Sequence, residues 1–552
     1  MKYSIGYSKP EKHFIDFKVS IDLNGEDEII LQLPSWRPGR YELANFAKNI
    51  KDFKVTNNSN FPISFKKINK DTWKIITKNL NVIEVSYSYY AAELNAGSTY
   101  LSEDQLYINP VNCMMYVDGR EDTPVEINFI INQDYDIYSS LKKEKKHVLK
   151  AINFDELADS PIIASSSVQH KVKKIEGVDF NFCFQGEVKV NWVKIFNDFE
   201  KFIKYQIKQF GNFPYKEFFF LFQITPFNAY HGVEHHRSTV ILLGSSYDVF
   251  GKLYNELLGV SSHELYHVWN VKLIRPNQMH PYNFNKENYT HMGYVAEGVT
   301  TYMGDRILYE SGVFSKTEYF KELKTLLVRH FHNDGRKHYS VAESSWDTWL
   351  DGYVTGAPGR KVSIYVEGAL IAMICDAKIR EKTNGENTLH DVIRQLYSGS
   401  NKETSYDSSK YQSILQDISG FDFSEIFDNL VYGKNDFTDY LKNAFQFFGW
   451  TFENIPSKNI SFQYGIKSVL KKDQLVIVSI LENSAAYSSG LAIGDKLLAI
   501  NGYCIENNLE KWMNYFNEDK LVLNIDRDKK MKEIQLLAIN HNQYFDYIIK
   551  DI

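Results

Sequence analysis

The stretch "GVSSHELYHVWNVKLIRP", residues 259–276, constrains the folding of this chain more than any other. His263 and His267 lie four residues apart, with Glu264 directly after the first histidine. On an α-helix that spacing stacks two imidazoles one turn apart on one face. Such a pair can hold one metal ion, while the glutamate reaches a water on that ion without being a ligand. Two packed core histidines would give the same short pattern, so a metal reading needs a third ligand. "GYVAEGVTTYMGD" offers Glu297 on a second helical stretch. Two histidines and one carboxylate leave a fourth position open for water, the catalytic rather than the structural pattern of a zinc site. Thr301 and Asp305 share the face of Glu297 at i+4 and i+8, where side chains that orient a ligand would sit.

The regions around this helix differ in character. Residues 1–170 read mostly as strands: "FIDFKVSIDL", "DEIILQLPSW" and "NVIEVSYSYYAA" alternate or run apolar with β-branched and aromatic residues. Pro34, Pro38 and Gly39 in "LPSWRPGRY" mark turns. A β-sandwich is the economical reading, and no catalytic constellation is legible there. Residues 171–455 are mainly helical, with "WVKIFNDFEKFIKYQIKQFG", "KLYNELLGVSSHELYHVWNV", "VAEGVTTYMGDRILYESG" and "YVEGALIAMICDAKIREKTNG" at helical apolar spacing. Two strands, in "EFFFLFQITPF" and "STVILLG", interrupt them. In residues 456–552 the turns at Gly490-Leu491, Gly494-Asp495 and Asn501-Gly502 around "KLLAI" resemble a PDZ domain. The expectation is a multi-domain α+β chain of these three units.

Composition narrows the function classes. The formal charge is −6 and no long basic run occurs, which argues against a nucleic-acid partner. The start lacks the apolar core of a signal peptide, and no uninterrupted apolar stretch is long enough to span a bilayer. Cys113, Cys183, Cys375 and Cys504 are far apart and unpatterned, and read as reduced thiols of a cytoplasmic protein.

Taken together, "LPSWRPGRY", "GVEHHRSTV", "SSHELYHVWNVKLIRP", "ENYTHMGYVAEGVTTYMGD", "VSIYVEGAL", "IREKTNG" and the C-terminal segment resemble the PDZ-containing glycyl aminopeptidases, metallopeptidase family sixty-one of the gluzincin clan. The resemblance covers nearly the whole chain. It implies a thermolysin-like catalytic domain with one zinc ion per chain, His263, His267 and Glu297 as ligands, and Glu264 as the base. It further implies that "HGVEHHRST", with Gly232 and then Glu234 ahead of a strand, corresponds to a strand edge along the substrate whose Glu234 holds the free α-amino group. Tyr365, three residues before Gly368, would donate a hydrogen bond to the tetrahedral oxyanion. The expected substrates are peptides with a free N-terminus, trimmed at small residues such as Gly or Ala. Three positions depart from the family pattern: His231 where Gly is usual, Tyr294 where Trp is usual, and Glu367 where a basic residue is usual. Glu367 would alter the charge of the pocket, and His231 would narrow it.

Two other readings stay open. The chain could be a zinc endopeptidase whose PDZ unit recruits substrate. It could also be an inactive peptidase fold that binds peptides through a carboxylate loop near Tyr464-Gly465-Ile466, with the PDZ ligand unknown.

Overall fold

A computed structural model describes residues 1–397, 403–516 and 520–552. The alternation of "FIDFKVSIDL" becomes the strand Phe14–Asp22, in which Ile15, Phe17, Val19 and Ile21 point inward and are buried. It pairs antiparallel with Val82–Tyr90 inside a seven-stranded sheet. A second sheet, carrying Glu28–Gln32 and Thr72–Ile76, contributes Leu31, Trp73 and Ile75 to the same core. Two sheets closing one apolar layer make the N-terminal unit a β-rich sandwich.

A five-stranded sheet opens the central unit. Val178–Gln185, Glu217–Thr225 and Ser238–Gly244 run parallel, and their apolar runs are buried throughout most of their length. The short strand Ala229–Glu234 pairs antiparallel with Ser238–Gly244 and forms the sheet's last strand. The helix Trp192–Phe210 covers this sheet. It starts at Asn191, whose side chain accepts from the Lys194 amide, and stops at Gly211 in the left-handed conformation. Its Phe199 and Phe202 pack among Phe182, Phe220 and Phe222.

The motif helix is shorter than its periodicity predicts. The apolar spacing continues to Val271, but the α-helix spans Tyr254–Tyr266. The chain then turns, and the Asn270 side chain donates to the Val295 carbonyl at 2.9 Å. The Glu297 segment opens as a π-helical turn, Tyr294–Val299, continuing into the α-helix Thr300–Glu310. The helices Lys316–Phe331 and Ile364–Lys382 complete the wall around it.

The PDZ unit is inserted rather than appended. Strand Trp450–Ile455 pairs with Asp546–Asp551, so the chain returns to the central unit after the PDZ sheet. Tyr547 packs with Phe331 and Phe452 in the central core. Between these strands, Gly490, Gly494 and the Asn501-Gly502 pair take positive φ at the turns. No helix among the described residues is long and apolar enough to cross a membrane.

Candidate active site

Four elements converge. The motif helix presents His263, Glu264 and, at its end, His267. Ser262 anchors that helix by donating to the Gly304 carbonyl at 2.8 Å, and Gly304 has no side chain to hold the two helices apart. His267 is oriented by its own turn, with Nδ1 2.6 Å from the Asn270 carbonyl. Its Nε2 is thereby aimed inward, 3.0 Å from His263 Nε2. Glu297 Oε2 lies 3.3 Å from His267 Nε2 and 3.7 Å from His263 Nε2. The π-helical turn under Glu297 adds a residue to the repeat and aims this side chain at the motif helix.

The last strand of the sheet lies over the motif helix. Tyr230, Gly232 and Glu234 share one face by strand alternation. Gly232 passes so close to Glu264 and Val260 that any Cβ there would collide with both. Tyr365 stands beside His263, the ring centres 6.4 Å apart. Gly368, one turn on, serves a different purpose: it meets Gly298 and Tyr294 backbone to backbone. That close approach brings helix Ile364–Lys382 against the Glu297 segment and so carries Tyr365 to the cleft.

The electrostatics are lopsided. Glu234, Glu264 and Glu297 gather around two histidines in one cluster, and all three carboxylates are buried. Glu234 Oε1 and Glu264 Oε2 have no hydrogen-bond partner among the described residues. Burial, and then the charges of Glu234 and Glu297, push the Glu264 carboxyl up to about 8 against the pull of His267. Burial opposes ionisation of Glu297 too, but the charge of His267 and hydrogen bonds from both histidines hold it far below the usual carboxylate range. Burial and the surrounding carboxylates hold the Tyr365 phenol well above its ordinary pKa, so it remains a proton donor.

The sequence reading missed the contribution of the N-terminal unit. "LPSWRPGRY" leaves the sandwich as an irregular loop and enters the cleft. Tyr41 donates to Glu297 Oε1 at 3.2 Å. Gly39, with φ 76°, lies against the Glu234 carboxylate, where no side chain would fit. Arg37 is buried with a guanidinium nitrogen 3.5 Å from His231 Nε2. The only hint in the sequence was the run itself, which has buried-type residues between turn formers.

Three expectations need correction. Thr301 donates to the main-chain carbonyl of Glu297, not to its carboxylate. It is Tyr41 that orients that carboxylate, and Asp305 lies farther along the cleft wall. Glu367 does not charge the pocket. It is buried on the other side of its helix, with both oxygens 2.8 Å from His330 Nδ1. Of the loop Tyr464-Gly465-Ile466, the Tyr464 and Gly465 amides are not open for a carboxylate, since they donate to the Ile460 and Phe462 carbonyls.

A β-rich unit, a helical unit with a convergent His-Glu-His cluster and an inserted PDZ unit define a metallopeptidase. A profile of the Peptidase M61 N-terminal domain matches residues 2–166, and one described as M61 glycyl aminopeptidase matches residues 256–371. A PDZ profile matches residues 455–538. The two M61 matches cover more than half of the chain, which belongs to the M61 glycyl aminopeptidase family and is a metallo-aminopeptidase by that membership. Its fold is similar to a solved aminopeptidase N family protein from Idiomarina loihiensis, with TM-score 0.92 at 24% identity over 100% of this chain and 98% of that one. An M1 zinc metallopeptidase from Deinococcus radiodurans aligns at TM-score 0.47 and 10% identity, over 79% of this chain and 94% of that one. No curated protein matches in sequence.

Proposed function

We propose that the protein is a zinc aminopeptidase that removes small N-terminal residues from peptides. The observation that carries this reading is Glu234: a buried carboxylate at the closed end of a cleft, with Oε1 unpartnered and the loop at Gly39 behind it.

The donor set fits zinc. Tetrahedral bonds of about 2.0–2.1 Å put ligand atoms about 3.3 Å apart. The Nε2, Nε2 and Oε2 atoms of His263, His267 and Glu297 have edges of 3.0, 3.3 and 3.7 Å. When bound there, zinc lowers the pKa of a coordinated water to about 7 and polarises the scissile carbonyl.

The chain's own residues supply the rest. The strand Ala229–Glu234 is the last in its sheet, so a substrate can add antiparallel along its open edge. Glu234 then pairs with the charged α-amino group and fixes the register so that one residue is removed. Glu264 takes the proton of the attacking water and passes it to the leaving amine. Tyr365 donates a hydrogen bond to the oxyanion. Crowding at the closed end by the loop at Gly39 and by Tyr41 favours small first residues. Burial, with Arg37 and Arg40 nearby, pushes His231 down to about 3, so it fills space as a neutral ring.

The test is kcat/KM on free against N-acetylated peptides, with zinc measured in the same preparation. Free peptides should be strongly favoured. Glu234→Ala should shrink that preference by about ten- to a hundred-fold, the worth of a charge-assisted hydrogen bond, while zinc stays bound. Equal rates on both peptides in the wild type would sink the role given to Glu234.

A further inference from the structure

A second cavity, of about 360 Å³, lies between the central helices and the PDZ sheet. It adjoins the metal cleft at Arg329 of helix Lys316–Phe331, which lines both. Glu322, Thr325 and Leu326 of that helix face the cleft, while Val328 and His332 face the cavity, and Arg329 borders both. The helix Ile364–Lys382 gives Tyr365 to the cleft and Val366 to the cavity, which Ser363, just before it, also lines. The far wall is the PDZ unit, through Lys467, Ser479 and Ile480.

The direction of substrate leads there. A peptide pairing antiparallel to the open edge strand has its N-terminus at Glu234 and runs back past Tyr230. Its later residues therefore meet helix Lys316–Phe331 and Arg329.

The charges in the cavity are unevenly matched. Its acids are engaged locally: Asp334 with Lys337, Glu367 with His330, and Glu482 3.9 Å from His338. Its two strong bases are not. Arg329 has no hydrogen bond or ion pair, and Lys467 has neither, among the described residues. The Lys467 ammonium instead sits 4.3 Å from the centre of the Tyr544 ring. Arg329 is exposed at the cavity mouth, while burial lowers Lys467 to about 8 because no carboxylate offsets the lost water. Two unpaired cations facing one cavity suit an anion.

We propose that this cavity receives the C-terminal carboxylate of short peptide substrates, with Arg329 and Lys467 as its charge partners. The inference rests on the aminopeptidase reading, which supplies the direction of the chain. It makes the PDZ unit a wall of the substrate site rather than a remote recruiter, and the enzyme a trimmer of short free peptides.

The experiment compares kcat/KM for alanine peptides of three to five residues as free acids and as C-terminal amides. The enzymes are wild type, Arg329→Gln and Lys467→Gln, with alanine p-nitroanilide as a control lacking any carboxylate. The acid-to-amide ratio is taken within each preparation, so a loss of folded protein cancels. Wild type should favour the acid by about ten-fold or more for at least one length. Each variant should bring that ratio towards one. Turnover of the anilide with equal rates on acids and amides overturns this inference alone, as does a ratio unchanged in both variants. No turnover of any substrate overturns the aminopeptidase reading and this inference with it.

Discussion

Two buried carboxylates in this molecule, Asp159 and Glu297, each sit between two histidines, and only Glu297 has unsatisfied carboxylates beside it. Asp159, from the end of the N-terminal unit, accepts from His235 Nδ1 at 2.9 Å and Lys272 Nζ at 2.9 Å. It also accepts from the His236 amide at 2.8 Å and is paired with His236 Nδ1 at 2.7 Å. Every oxygen is engaged, and a fully buried lysine balances the charge. Burial opposes its ionisation, but Lys272 and the two histidines outweigh burial and hold Asp159 well below the ordinary range. At the Glu297 cluster the count runs the other way. Three carboxylates face two histidines, and two oxygens have no partner. A complete network locks two units together, whereas an incomplete one stores negative charge for ligands that carry positive charge. Residue types alone do not separate the two sites. The separating feature is the number of donors each fold delivers.

The largest expected effect tests the incomplete site. Glu264→Gln should cut kcat by about 100- to 10,000-fold, the range for removing a general base, with metal content unchanged. Its Tm should not fall, because burial already favours the uncharged carboxyl and the amide is uncharged too. A clear drop in Tm would mean that Glu264 is structural and would erase the contrast. The opposite pattern is expected at the complete site. Asp159→Asn leaves Lys272 buried and unpaired, which costs about 3–5 kcal/mol. Denaturant unfolding should show that loss, while the surviving folded fraction keeps its metal.

Smaller effects sharpen the comparison. Tyr41→Phe removes the hydrogen bond that orients Glu297, and should weaken metal affinity by about ten-fold in chelator competition. Thr301→Val, which touches only the main-chain carbonyl, should leave that affinity unchanged. Acid titration gives the last test. An acid whose folded pKa lies below its unfolded one adds stability above the unfolded value, about 3.9 for Asp, and loses it as pH falls towards the folded value. Tm should therefore drop below about pH 4 in wild type, and less steeply in Asp159→Asn. Parallel curves would show that the Asp159 network adds nothing to acid stability.

Much of the site was legible because it is local. His263, Glu264 and His267 follow helical spacing, whereas Gly232 and Glu234 were read only from the family resemblance. The helix Trp192–Phe210 was legible from its apolar period and its closing Gly211. Other parts were hidden for identifiable reasons. Helical period alone ran past His267, since nothing local announces that the Asn270 side chain takes a carbonyl 25 residues away. Glu367 looked like a pocket charge because it follows Tyr365 and Val366 directly. One residue step turns a helix by about 100°, and two steps send Glu367 to His330. Tyr41 lay 256 residues from its partner Glu297, in a loop with no catalytic residue of its own.

The sequence by itself determined the chemistry available: two imidazoles and a carboxylate on one helical segment, a second carboxylate on another, and three units of different secondary structure. These follow from residue type and from periods of two and 3.6, which act over a single turn or strand. Only the tertiary structure decided which acids are satisfied. It brought Lys272 to Asp159 and left Glu234 without a donor, inserted the N-terminal loop behind Glu234, and returned strand Asp546–Asp551 to the central unit so that the PDZ sheet walls a cavity. The physical reason is that a hydrogen bond or ion pair has a reach of about 3–4 Å, and only folding sets distances between residues far apart in the chain.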